Sequence, residues 1–240
     1  MNWRQYLGAF ILSNLLLLGI SIAILMTQAW LPLNPDRIPN MNWDLAVHTT
    51  ISFLTNTNQQ HYSGQAQLSY LSQMTVIIGW QYLSPIMGLA LLTAMLRALF
   101  LQPKDQALEN VEPKNASQIN LGNYWIDMIR PLFRFFIPLS LVFSLLLTFQ
   151  GVPSTLSAGP TAQVLDRSTE VQTQHIPLGP VAPMVAIKQL GSGGWYGPNS
   201  SVPLENPTPL SNVLEMLAIL LIPMSVVFML GRFVQRKKLM

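Results

Sequence analysis

The chain contains no cysteine. Disulfides, thiolate nucleophiles and Cys-ligated metals are therefore excluded, and the redox compartment is unreadable. Charge is scarce as well: Asp, Glu, Lys and Arg make up 10% of the 240 residues, against 50% for hydrophobic types, where about a quarter is usual in soluble domains. Thirteen Lys and Arg against ten Asp and Glu leave a formal net charge of +3. These basic residues are not interleaved with aromatics as on a nucleic-acid surface, so nucleic acid is not an expected partner. Also missing are an H-E-x-x-H pattern, a phosphate-cradling loop and a nucleophile, base and orienter set, so catalysis by this chain has little support. What remains is apolar. A mean hydropathy of +0.36 describes a chain mostly dissolved in lipid.

Four segments are expected to span a bilayer. Leu7 to Met26 is twenty residues without a charge, enough to cross a ~30 Å hydrocarbon layer at 1.5 Å per residue and longer than the apolar core of a signal peptide. Met74 to Leu96 is also uncharged, and Gln81, Ser84 and Pro85 in its middle make it a kinked span packed against protein. Phe135 to Phe149, continued back through Arg134 to Pro131, is the third; Met216 to Gly231, with Pro223 inside, is the fourth. Ten basic residues fall on the side of the N-terminus: Arg4, Arg97, Lys104, Lys114, Arg130, Arg134, Arg232, Arg236, Lys237 and Lys238. Only Arg37, Arg167 and Lys188 fall on the other. The positive-inside rule then places both termini in the cytoplasm and the two long connecting segments outside.

Each of those outer segments has the same plan. Leu45 to Leu54 (LAVHTTISFL) and Val181 to Leu190 (VAPMVAIKQL) are about ten residues each, too short to cross and suited to re-entrant half-helices. After them come polar strips, SFLTNTNQQHYSG (Ser52 to Gly64) and KQLGSGGWYGPNS (Lys188 to Ser200), and then a long span. The span starts match, LSYLSQM (Leu68 to Met74) against LSNVLEM (Leu210 to Met216), at an offset of 142. An internal repeat of span, half-helix, strip and span follows, in an all-α integral membrane protein. Residues 1–100 form the first repeat, 101–122 a cytoplasmic linker and 123–240 the second. Two readings of the strips are open. Non-helical backbone at membrane depth lines an aqueous path, where carbonyls replace the water shell of a potassium-sized cation; alternatively, both strips are exposed loops of the kind Gly, Asn and Ser favour.

Longer stretches carry a resemblance. SFLTNTNQQHYSGQAQLSYLSQM, LGNYWIDMIRPL, QGVPSTL, LGPVAPMVAIKQLG and NSSVPLENPTPLSNVLEMLAILLIP, in this order over nearly the whole chain, resemble the potassium-binding A subunit of the Kdp potassium-transporting P-type ATPase. The resemblance implies a potassium-channel-like fold in which four span, pore-loop and span repeats surround one filter. That filter captures K⁺ from outside and passes it to a pump subunit that hydrolyses ATP, beside accessory small subunits in a bacterial inner membrane. It also implies that Thr55, Asn56, Thr57 and Asn58, with Gln60 beside them, form one filter quarter, and that Gly191, Ser192, Gly193 and Gly194, leading into Trp195 and Tyr196, form another. LGSGGWYG departs from the family's Gly-Thr-Asn-Gly-Gly-Gly run, being two residues shorter and without Asn. Against the family, the first span and the last two repeats are expected to be missing. A chain supplying those repeats is then an expected partner, and a truncated, non-conducting remnant or assembly protein is the alternative function.

Single residues complete the reading. His48 is expected to be structural, and His61 and His175 to be solvated, with no metal-ligand spacing among them. Lys188 is placed to favour the C-terminal dipole of its half-helix. Gln73 and Glu215 are equivalent in the repeat and expected at the membrane interface. Asp127 is expected to pair with Arg130 along one helix. Trp43, Trp80, Trp125 and Trp195 suit interfacial or packing roles, and Gln102 to Gln118 a flexible loop.

Overall fold

The structure is a computed structural model that describes residues 1–62, 64–100, 120–165, 172–193 and 204–234. Gly194, Trp195, Tyr196 and the loop from Gln102 to Gln118 lie outside the described residues. In chain order the helices are α1 (Trp3–Thr27), α2 (Trp43–Leu54), α3 (Tyr70–Phe100), α4 (Tyr124–Phe149), α5 (Val181–Leu190) and α6 (Pro209–Val234). Of these, α1, α3, α4 and α6 are long and apolar enough to cross a membrane, and α2 and α5 are not. A small antiparallel pair, β1 (Thr161–Gln163) with β2 (Thr173–His175), sets Thr161 opposite His175 in the segment between α4 and α5. The half-helix α2 packs against α1 and α3, and α5 is wedged between α4 and α6.

Burial is inverted relative to a soluble helix, and α1 shows it most plainly. Its inward residues include Ser13, Asn14 and Ser21, while Leu12, Leu15 and Leu16 are more than half exposed. In lipid, Leu needs no shelter, whereas polar side chains need partners inside the bundle. Ser13 Oγ lies 2.7 Å from Tyr124 Oη, Trp80 Nε1 donates to Ser21 Oγ at 2.8 Å, and Asn14 Nδ2 returns to the Phe10 carbonyl at 2.7 Å. Trp80 is thus a buried tie between spans, while Trp43 and Trp125 are exposed.

All four spans outrun the apolar windows read from the sequence, at one end or both. Capping explains two of the extensions. Asn2 and Gln5 form a reciprocal capping box at the start of α1, and Asn123 Oδ1 accepts from the N–H groups of Trp125 and Ile126 at the start of α4. Gln73, Arg97 and Glu215, which bounded or preceded those windows, have partners inside the protein, so the helix runs past them. Asp127 corrects the sequence expectation directly. It pairs not with Arg130, which is exposed, but with Arg97 of α3, whose Nη1 and Nη2 reach its two oxygens at 2.5 and 2.8 Å. Tyr6 Oη adds a third donor at 3.0 Å. A guanidinium fork held by two carboxylate oxygens outcompetes an exposed pair along one helix, worth only about 0.2–0.5 kcal/mol. This clasp brings the start of α1, the end of α3 and the start of α4 to one end of the bundle.

α3 is irregular in two places. Gln73–Ile78 is wound as a π-helix, and Pro85 sits inside the helix. Pro85 has no N–H to give the carbonyl of Gln81, four residues before it, so the helical ladder lacks that bond.

Candidate functional site

The half-helix α2 stops in a Schellman motif. Asn56 takes the left-handed conformation, φ 56°, its N–H bonds the Phe53 carbonyl at 3.2 Å, and the Thr57 N–H bonds the Ser52 carbonyl at 2.9 Å. Asn is one of the few residues that tolerate this conformation, because its short polar side chain bonds locally. The winding continues one step further. Asn58 is again left-handed, φ 55°, its N–H also reaches the Ser52 carbonyl, at 3.1 Å, and the Gln59 N–H reaches Ser52 Oγ at 2.6 Å. Four consecutive N–H groups, Asn56 to Gln59, therefore point back at the end of α2. In a trans peptide the carbonyl of residue i is antiparallel to the N–H of residue i+1, so the carbonyls of Thr55, Asn56, Thr57 and Asn58 all point away from the half-helix. Among the described residues, no donor is directed at the carbonyls of Thr55 or Thr57; Asn58 Nδ2 reaches the Asn56 carbonyl at 3.2 Å.

The end of α5 repeats the first three of these bonds at an offset of 136 residues. Gly191 N–H bonds the Ile187 carbonyl at 2.8 Å, as Thr55 bonds Ile51 at 3.0 Å. Ser192, φ 54°, bonds Gln189 at 3.2 Å, and Gly193 bonds Lys188 at 2.9 Å. By the same peptide geometry, the carbonyls of Leu190, Gly191 and Ser192 face away from α5. The sequence-predicted residues Thr55 to Asn58 and Gly191 to Gly193 thus occupy corresponding backbone positions. Gln60 follows the first strip, half-buried.

Both strips meet α3 beside its proline. Ser84 Oγ donates to Asn56 Oδ1 at 3.2 Å. A Cβ added to Gly191 would lie 2.9 Å from the Gln81 carbonyl oxygen, and one added to Gly193 would lie 1.9 Å from Gln81 Oε1. Glycine at these two positions is what lets the second strip lie against the span. A groove of 340 Å³ opens from here between α3 and α6, with Gly191, Ser192, Pro85, Gly88 and Pro223 in its wall. The sequence flagged Gln81, Ser84 and Pro85 only as interruptions of a span; the spacing of Gln81 to Pro85, four residues, was the available signal that a ladder bond is missing there.

Behind the strips the two halves differ. Lys188, buried, gives its ammonium to Glu205 at 2.9 Å, so it is an ion-pair member and not merely a dipole complement. Burial pushes the Glu205 carboxyl above its ordinary range, and the Lys188 ammonium offsets only part of that. Gln189 Nε2 donates to Glu215 Oε2 at 2.9 Å. Glu215 and Gln73, expected at the interface, are both buried. The reason is that their helices start one to two turns earlier, which carries them inside the bundle. The sequence offered no sign of the role of Glu205.

His48 stacks edge-on with exposed His61 at 4.5 Å between ring centroids. His175 Nε2 lies 3.4 Å from Asp36 Oδ1, which also accepts from the Gly159 N–H at 3.0 Å. Asp36 Oδ2 accepts from Tyr70 Oη at 3.3 Å. These contacts tie the two outer connecting segments together. Among the described residues, no three His, Cys, Asp or Glu side chains converge as a metal site.

Residues 1–240 match the family described as Potassium-transporting ATPase A subunit. The chain belongs to this family. Similar proteins named Potassium-transporting ATPase potassium-binding subunit occur in Salmonella paratyphi B (strain ATCC BAA-1250 / SPB7), Salmonella heidelberg (strain SL476) and Salmonella gallinarum (strain 287/91 / NCTC 13346), each 44% identical over 233 residues. The match covers 96% of this chain and 38% of each relative, so the chain spans well under half the length of the potassium-binding subunits it resembles. As a member of the potassium-transporting ATPase A subunit family with four apolar helices of spanning length, it is a multi-pass membrane protein.

Proposed function

We propose that this chain supplies two strips of a K⁺-selective filter in an ATP-driven potassium uptake complex, and that it does no hydrolysis itself. The observation that carries this reading is the repeated strip: two half-helices of one chain end in the same hydrogen-bond pattern, and both turn successive backbone carbonyls away from the helix. Carbonyl oxygens so presented replace the hydration shell of a dehydrated K⁺. The relatives are named as potassium-binding subunits of a potassium-transporting ATPase, which supplies the ion and the pump partner.

In this reading Thr55 to Asn58, with Gln60 adjacent, and Gly191 to Gly194 are the ion-binding residues. Residues 1–100 and 123–240 are the two pore repeats, joined by 101–122. Both termini face the cytoplasm of a bacterial inner membrane and the strips face outward, so K⁺ is captured outside and handed to the ATP-hydrolysing subunit. Accessory small subunits and further repeats, on a longer chain or a separate one, complete the assembly, because two strips do not encircle an ion. The test is potassium titration of membrane-inserted protein, alone and with a chain carrying the remaining repeats, together with rescue of growth at low external potassium. Saturable binding that prefers K⁺ to Na⁺ is expected. If properly inserted protein neither binds K⁺ nor rescues growth in either setting, the chain is an assembly or interaction protein instead.

A further inference from the structure

Glu215 has features that the filter reading does not use. It is 8% exposed, so more than nine-tenths buried. One carboxylate oxygen, Oε2, accepts from Gln189 Nε2 at 2.9 Å, while the other, Oε1, is buried with no donor. The charged groups facing it are Lys188 of α5 and Glu205 of the segment leading into α6, and the Lys188 ammonium is already 2.9 Å from Glu205. Two carboxylates therefore face one ammonium. Among the described residues no further cation acts on it: the Ile137–Phe149 stretch of α4 has no ionisable side chain, and Arg97 of α3 is at the far end, on Asp127. Tyr82 of α3 is bonded to Ser140. Moreover, Gln189 is in the last turn of α5, where the helix dipole is negative. An ionised Glu215 would be an uncompensated negative charge in a low-dielectric site with one oxygen unsatisfied.

The sister repeat gives an independent comparison. Gln73, at the position equivalent to Glu215, is fully buried and its Oε1 likewise has no donor. An amide is the neutral analogue of a protonated carboxyl, so the first repeat keeps this position uncharged by residue type.

We propose that Glu215 is a proton-binding site behind the second strip, and that its proton and a K⁺ ion on that strip oppose one another. The coupling half of this rests on the filter reading above; the proton site itself does not. The contact is short: Glu215 holds the side chain of Gln189, and the carbonyl of Gln189 holds the N–H of Ser192 at 3.2 Å. When the proton leaves to bulk water, a full negative charge remains beside the strip and K⁺ binds more tightly. By linkage, bound K⁺ promotes the proton's departure by the same factor.

The test uses the full chain in lipid nanodiscs. Infrared spectra across a pH series should show a protonated-carboxyl C=O band that is lost as pH rises and that is missing in Glu215→Gln. Gln73→Glu, the reciprocal exchange, should add a second such band, which guards against misfolding of one variant. Calorimetric K⁺ titration should give an affinity that rises about fivefold or more from mildly acidic to mildly alkaline pH in the unaltered chain and stays flat in Glu215→Gln. A carboxyl band unaffected by Glu215→Gln, or none at all, overturns the proton site. A Glu215 band with pH-independent K⁺ affinity overturns the coupling. The band without any K⁺ binding, either in the chain alone or beside a chain carrying the remaining repeats, supports the proton site and overturns the filter reading instead.

Discussion

The two strips of this chain share a backbone and differ in nearly everything that touches it. The first carries Thr and Asn side chains that bond one another and α3, with Ser52 Oγ filling the inside of the turn. The second is built on Gly191 and Gly193, pressed against Gln81, with Lys188, Glu205 and Glu215 buried behind it. Ser52 and Lys188 correspond at the offset of 136 that relates the hydrogen bonds, so a hydroxyl in one half stands where an ammonium stands in the other. The lesson is that the Schellman winding dictates where the carbonyls go, and that side chains are free to vary with whatever packs on each strip.

That contrast is sharpened by substitutions at paired positions. The largest effect is expected at the buried ion pair. Glu205→Ala removes the carboxylate 2.9 Å from the buried Lys188 ammonium and should destabilise the chain by about 3–5 kcal/mol, whereas Ser52→Ala, losing hydrogen bonds to Gln59, should cost about 1–2 kcal/mol. Denaturant unfolding in detergent micelles compares them, and equal losses would mean that the two halves are held alike. Next comes the close approach to α3. Gly191→Ala brings a methyl against the backbone oxygen of Gln81 and should cost about 1–3 kcal/mol, while Thr55→Gly, with the corresponding side chain exposed, should cost less than about 1 kcal/mol. Thermal melts of the two variants decide it, and a harmless Gly191→Ala would remove the packing rationale for the glycine. The smallest effect concerns the left-handed residues. Ser192→Gly should stabilise by about 0.5–1 kcal/mol because glycine adopts φ 54° without a steric penalty. Asn56→Gly should be near neutral, since relief of the backbone is offset by loss of the Ser84 contact. A gain of equal size at both sites would show that the Asn56 side chain contributes nothing.

Much of the architecture was legible because lipid imposes simple rules on composition. Four spans and two half-helices follow from the lengths of apolar runs, and the limits of Val181–Leu190 agree with those of α5. The repeat was legible too, but its register was not. Aligning the span starts gives 142, whereas the strips superpose at 136, because the second connector is six residues longer (142 − 136). Partners distant in sequence were also hidden. Asp127 and Arg97 are thirty residues apart, and nothing local distinguishes that bond from a pair with Arg130. Hydropathy likewise treats Gln73 and Glu215 as places where a span should end, when in fact the bundle supplies them with buried surroundings. Which oxygens the strips present is a matter of left-handed backbone at Asn56, Asn58 and Ser192, which residue type permits but does not dictate.

The central claim is that both strips offer backbone carbonyls to K⁺, and isotope-edited infrared spectroscopy addresses it directly. Carbonyl labels placed at Thr55 and Thr57 in one sample, and at Gly191 and Ser192 in another, would be followed as K⁺ replaces Na⁺ in the assembled complex. A K⁺-dependent shift of the labelled bands in both samples is the predicted result; K⁺ binding that leaves the labelled carbonyls of either strip unshifted would contradict it.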